Sequence, residues 1–216
     1  GREAGKNIDT GISNIALGYE AGRYGCARNY NISIGHQAGK NIGGHDKNIF
    51  IGYLAGTGSG TATDNSGENN IALGTQALTS LTTGDMNIVM GEYAGKDMDT
   101  GRFNIYLGSS AGCSTSSGKY NIAFGSKAGQ SISTMHGGIF IGHYAGCFRT
   151  TGDKSIAIGK EALKGTSGDA TGENNIGIGF LAGSCVSTGT NNLIMGIQSG
   201  KVATTGSKNI FIGESA

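Results

Sequence analysis

Four histidines, four cysteines and fifteen carboxylates are the side chains best suited to ligate a metal, attack a carbonyl or move a proton. Their spacing argues against any of these. His36 and His143 occupy equivalent places six repeats apart, about 29 Å along a stack of strands. They cannot share a metal within one chain, and His45 and His136 add no H-x-H or H-E-x-x-H spacing. Cys26, Cys113, Cys147 and Cys185 form no C-x-x-C pair. Cys113 and Cys147 lie two repeats apart, roughly 9–10 Å, beyond disulfide reach. Separate thiols are expected, with a bridge between chains as the alternative. Glu68, Asp85 and Glu173 are scattered without an acid/base pair, and Gly56-Thr57-Gly58-Ser59-Gly60 lacks the Lys-Ser/Thr of a phosphate loop. No catalytic residue, metal site or cofactor is expected.

The elements that hold these residues come from a repeat. NIALGYEAG begins at Asn14, and its variants begin at Asn31, Asn48, Asn70, Asn87, Asn104, Asn121, Gly138, Ser155, Asn175, Asn192 and Asn209. The period is 17 residues, with five extra residues after Gly56 and three after Leu163. With Asn14 as position 1, position 2 is Ile in eleven of twelve copies, position 4 is always large and apolar, and position 5 is always Gly. Asn14, Ile15, Gly18, Ala21 and Gly22 in one copy, and Asn104, Ile105, Gly108, Ala111 and Gly112 in another, show the structural signature. Repeats of this kind are read as stacked supersecondary units.

The N-I-x-I-G stretch alternates with period 2, which predicts a strand of about five residues with positions 2 and 4 inward and position 3 outward. Gly at position 5 turns a corner, Ala at position 8 faces the interior, and Gly at position 9 turns again. The expected fold is all-β: a single parallel β-solenoid over residues 1–216, of about twelve 17-residue coils, roughly 55–60 Å long. Asn at position 1 is expected to form an axial amide ladder. The longer connectors, 57–69 and 164–174, are candidate binding loops. The chain opens mid-repeat at Gly1 and stops at position 8 with Ala216, without polar caps, so a segment of a longer fibre is expected.

Glycine, at 42 residues with no proline, is thus positional. Collagen would need Gly at every third position and abundant proline. Sixteen basic against fifteen acidic residues leave a net charge of +1, no footprint for nucleic acid or an anionic membrane. No apolar run reaches the length of a membrane-spanning helix, so membrane insertion of this segment is not expected.

The N-I-A-I-G-x-x-A-G unit with its TTG connector resembles the glycine-rich repeats of bacteriophage tail fibres. It is also similar to the S-V-A-I-G repeats in the heads of YadA-like trimeric autotransporter adhesins, most closely at Ser155-Ile156-Ala157-Ile158-Gly159. The resemblance implies a left-handed, homotrimeric β-roll on a virion or outside the cell, with the bacterial surface as alternative. Its role would be structural and adhesive, with a cell-surface glycan or protein receptor as partner. The candidate recognition residues are Phe50, Tyr106, Phe140 and Phe211 at position 3, with Tyr53 and Tyr144 at positions 6 and 7. The other reading of these aromatics is that they seal an interface between rods. A hexapeptide-type acyltransferase, suggested by Ile34-Gly35-His36-Gln37-Ala38-Gly39, and an ice-binding solenoid are the alternatives from other classes.

Overall fold

The computed structural model describes residues 1–7, 10–24, 28–41, 43–44, 46–59, 66–166 and 170–216. Twelve strands of three residues run from β1 (Ile15–Leu17) through β6 (Ile105–Leu107) to β12 (Ile210–Ile212). They form one sheet in chain order, every neighbour parallel. Each pairing keeps repeat register, as in Ile105↔Ile122, Tyr106↔Ala123 and Leu107↔Phe124. Even the five-residue insertion leaves Ile49 opposite Ile71. The chain is therefore a parallel β-solenoid of 17-residue coils, with no helix among the described residues.

Hydrogen bonding continues well past the short strands. In the coil that starts at Asn104, Ile105 N donates to Asn121 O at 2.9 Å in the next coil, while Gly108 N donates to Met90 O at 2.8 Å in the previous one. Gly112 N, Ser114 N, Ser116 N and Lys119 N then all donate to the following coil. A proline almost anywhere on this circuit would leave a carbonyl of a neighbouring coil without its donor, which accounts for its absence.

Two glycine columns answer different constraints. At position 5, Gly108 has φ 137°, and an added Cβ would stand 2.6 Å from the carbonyl carbon of Gly125. Backbone meets backbone there, so no side chain fits. At position 9, Gly112 has φ 56°, and its missing Cβ makes room for the Tyr106 ring, 2.5 Å from Cδ2. Positions 7 and 17 also lie in the left-handed region, and apart from Gly137 they carry non-glycine residues, for example Ser110 at 55° and Tyr120 at 58°. Apart from Gly137, the residue types at these turns give no sign of the conformation.

The strand faces opposite to expectation. Position 3 is the inward one: Phe50, Tyr106 and Phe140 are fully buried, as are Ala72, Val89, Ala123, Ala157 and Ile194. Positions 2 and 4 look outward and are half-buried to exposed. The core is made from position 3, the Ala at position 8 and a third inward column at position 12, occupied by Leu81, Met98, Thr115, Ile132 and Val186. Only one large side chain per wall fits inside so small a coil. Where position 3 is Ala72 or Ala157, position 9 carries a buried Leu78 or Leu163 instead of Gly, still at φ 56° and 42°. Leu163 also fills the space over Gly177, whose added Cβ would lie 2.6 Å from Leu163 Cγ.

The asparagine column is an amide ladder in two runs, Asn14 to Asn121 and Asn175 to Asn209. Asn104 Nδ2 donates to Asn87 Oδ1 at 3.1 Å and to Gly118 O at 2.8 Å, while Asn104 Oδ1 accepts from Asn121 N at 3.0 Å and Asn121 Nδ2 at 3.2 Å. Every donor and acceptor of the buried amide is used, which is the condition for burying it without penalty. The ladder lapses at Gly138 and Ser155. Elsewhere the position-15 carbonyl accepts from its own coil's Asn, as Gly189 O does from Asn175 at 2.7 Å. In the coil that starts at Ser155, the buried Arg149 of the preceding coil donates to Gly172 O in its place. Arg149 Nε and Nη1 have no partner, and desolvation pulls its guanidinium down to about 10.

Candidate functional site

The outward columns at positions 2 and 4 form an apolar stripe along the sheet. Every one of their 24 places is Ile, Leu, Met or Phe, with no ionisable residue among them. In the middle of the rod Phe124 is 56% exposed, and Ile122 and Ile141 are near 37%. β-Branched side chains are favoured in strands, and their restricted χ1 makes the stripe stiff and evenly ridged.

Aromatic and charged columns flank it. At position 6, the rings of Tyr19, His36 and Tyr53 follow one another at 5.0 and 5.3 Å. At position 17, Phe103 and Tyr120 stack at 5.0 Å with planes 6° apart, both exposed. Tyr144 at position 7 is half-buried beneath two lysines, its hydroxyl accepting from Lys127 Nζ at 2.8 Å and its ring 5.2 Å from Lys164 Nζ. That hydrogen bond raises the pKa of Lys127. Position 16 carries charges of both signs: Asp85 pairs with Arg102 Nε at 3.3 Å, and Asp153 stands 3.6 Å from His136 Nδ1, with Lys119 between the two pairs. Near the first coils, Glu20 accepts from Lys40 at 2.6 Å and Gln37 at 2.7 Å and pairs with Arg23, which also reaches Glu3 at 2.8 Å. Lys40 above all, with Gln37 and Arg23, holds the Glu20 carboxyl at about 2 despite its desolvation.

The candidate recognition residues separate into two groups. Tyr53 is 48% exposed and Tyr144 is half-buried, so both are reachable from solvent. Phe50, Tyr106 and Phe140 are enclosed, and Phe211 packs against the same core, so position 3 does not offer an aromatic surface. The Tyr106 hydroxyl accepts from Thr115 at 3.3 Å, and burial pushes its phenol above the ordinary range. Phe50, Tyr106 and Phe140 fill the coil interior. The apolar outer face was missed because its isoleucines were read as core. Ile is the usual choice for an interior, and periodicity carries no sign telling inside from outside.

Thiol and imidazole chemistry finds no assembled site. His36, His136 and His143 are exposed, and no group of three metal-capable side chains occurs among the described residues. Cys113, Cys147 and Cys185 are free. Burial pushes the Cys147 thiol up to about 11 and raises that of Cys113 too, which suppresses the thiolate. Cys26 and His45 lie outside the described residues, as do 60–65 and 167–169 of the two long connectors. Comparison with known families, characterised proteins and solved structures finds no match to this chain.

Proposed function

We propose that this chain is a shaft segment of an extracellular fibre, of the kind bacteriophage tail fibres carry, built as a left-handed solenoid and assembled from three parallel copies. The observation that carries the reading is the unbroken register of twelve parallel strands, with backbone hydrogen bonds running around most of every coil. Such a stack resists bending, because each coil is held to both neighbours at many points. The role is mechanical, and no chemical step is assigned to it. Host-surface recognition, of a glycan or a protein, falls to solvent-facing side chains away from the isoleucine stripe, Tyr144 among them. Three copies presenting the same flank raise avidity for a repeated surface ligand. The resemblance of the repeat to tail-fibre sequences supports a virion location, and that of Ser155–Gly159 keeps a bacterial surface adhesin as the second reading.

Electron microscopy of the purified chain, together with analytical ultracentrifugation, tests the proposal. Straight particles roughly 55 Å long, with three times the 21.8 kDa chain mass, are expected. A compliant single-chain particle would refute it.

A further inference from the structure

We infer that the isoleucine face, positions 2 and 4 of every coil, is the surface on which copies of this chain meet, the occupant being a second copy aligned parallel and in register. The inference deepens the fibre reading and rests on it. A stripe three residues wide over twelve strands covers about 500 Å². A solitary soluble chain rarely exposes more than a few hundred Å² of contiguous apolar surface. The flanks at Phe103 and Tyr120 on one side, and at Tyr19, Tyr53 and Phe180 on the other, are exposed too. They widen the stripe toward the ~800 Å² per partner that stable interfaces bury.

Periodicity selects the occupant. Ridges of Ile, Leu and Met recur once per strand, about 4.8 Å apart. A surface with a repeat differing by ~0.5 Å loses register by a full ridge within about ten strands. Another copy of this chain has the same repeat along its whole length. The absence of Lys and Arg from both columns removes the cations that an anionic lipid surface would call for. Each rod presents one such face, and cyclic closure about the long axis buries that face on every copy while keeping them parallel. The position-16 charges then remain on the outside, where they keep assembled rods soluble.

The test replaces Ile105 and Ile122 together by Glu in the full chain. Both side chains already contact solvent in the single rod, so the solenoid should survive with its far-UV circular dichroism unchanged. The parent is expected to sediment as a trimer and the double variant as one chain. Lys119→Glu, on another side of the coil, should leave the trimer intact. A trimeric parent whose Ile105→Glu/Ile122→Glu variant is also trimeric overturns this assignment and leaves the fibre reading standing. A parent that sediments as one chain overturns both, including the case where it floats with phosphatidylcholine vesicles. Should the double variant not fold, a photo-crosslinking benzoylphenylalanine at Phe124 replaces it. Covalent chain-to-chain products from position 124, and none from the same label at position 119, are expected, and the reverse pattern refutes the assignment.

Discussion

Replacing Phe140 by Ala and Gly146 by Leu, singly and together, asks whether positions 3 and 9 share one volume. An added Cβ at Gly146 runs into the Phe140 ring. The single Gly146→Leu change therefore overpacks a filled core, at about 1–3 kcal/mol. A left-handed φ of 57° adds ~1 kcal/mol for a residue with a Cβ. Phe140→Ala alone opens a cavity at about 3–5 kcal/mol. Independent effects would sum to roughly 5–9 kcal/mol. In the double variant the leucine enters the vacated space, as Leu163 does over Gly177. That removes the overpacking and recovers about 1.5–3 kcal/mol of burial. The net loss becomes about 2–4 kcal/mol, a favourable coupling of about 3–5 kcal/mol. Urea unfolding followed by far-UV circular dichroism, with all four proteins at one concentration, reads every corner of the cycle. A coupling within about 0.5 kcal/mol of zero would mean that the two positions do not share a volume, and the account of the core would fall with it.

Three further outcomes follow from the same geometry. Asn104→Ala removes the amide that serves Asn87, Gly118 and Asn121, stranding a buried N–H and a buried carbonyl, and should cost about 2–4 kcal/mol in chemical denaturation. A loss below about 0.5 kcal/mol would show that water replaces the ladder. Arg149→Met places at position 12 the residue type found at Met98 and removes two unpartnered buried nitrogens, so it should stabilise by about 1–3 kcal/mol; destabilisation would mean the bond to Gly172 O outweighs desolvation. Glu20 has a depressed pKa in the folded chain. Its contribution is complete above the unfolded value of 4.5 and fades as pH falls toward about 2. Thermal melts of Glu20→Gln should be less stable than the parent at pH 6 and converge with it near pH 2, and parallel curves across that window would remove Glu20 as the cause.

Much of this molecule is written in its residue types. A period of 17 with Gly at position 5 specifies identical coils stacked in register, because only glycine lets Gly108 approach the carbonyl of Gly125. Asn at position 1 specifies an axial ladder, because an amide can both donate to and accept from its own copy. Those features follow from local chemistry repeated at a fixed interval. Positions 7 and 17 were illegible for the converse reason: Ser110 and Tyr120 adopt a left-handed conformation that neither residue type advertises, and the closed hydrogen-bond circuit imposes it.

What only the tertiary structure decided is which side of each strand is the inside. Alternation of Ile105, Tyr106 and Leu107 says that the first and third share a face and the second takes the other, and it is silent about which face is enclosed. Counting hydrophobic atoms favours the two aliphatics. The coil instead encloses Tyr106, because its narrow interior, shared with Ala111 and Thr115, admits one strand side chain per turn and leaves no room for two. The isoleucines are left on the surface as a stripe, so the same confinement that shaped the core also created that apolar outer face.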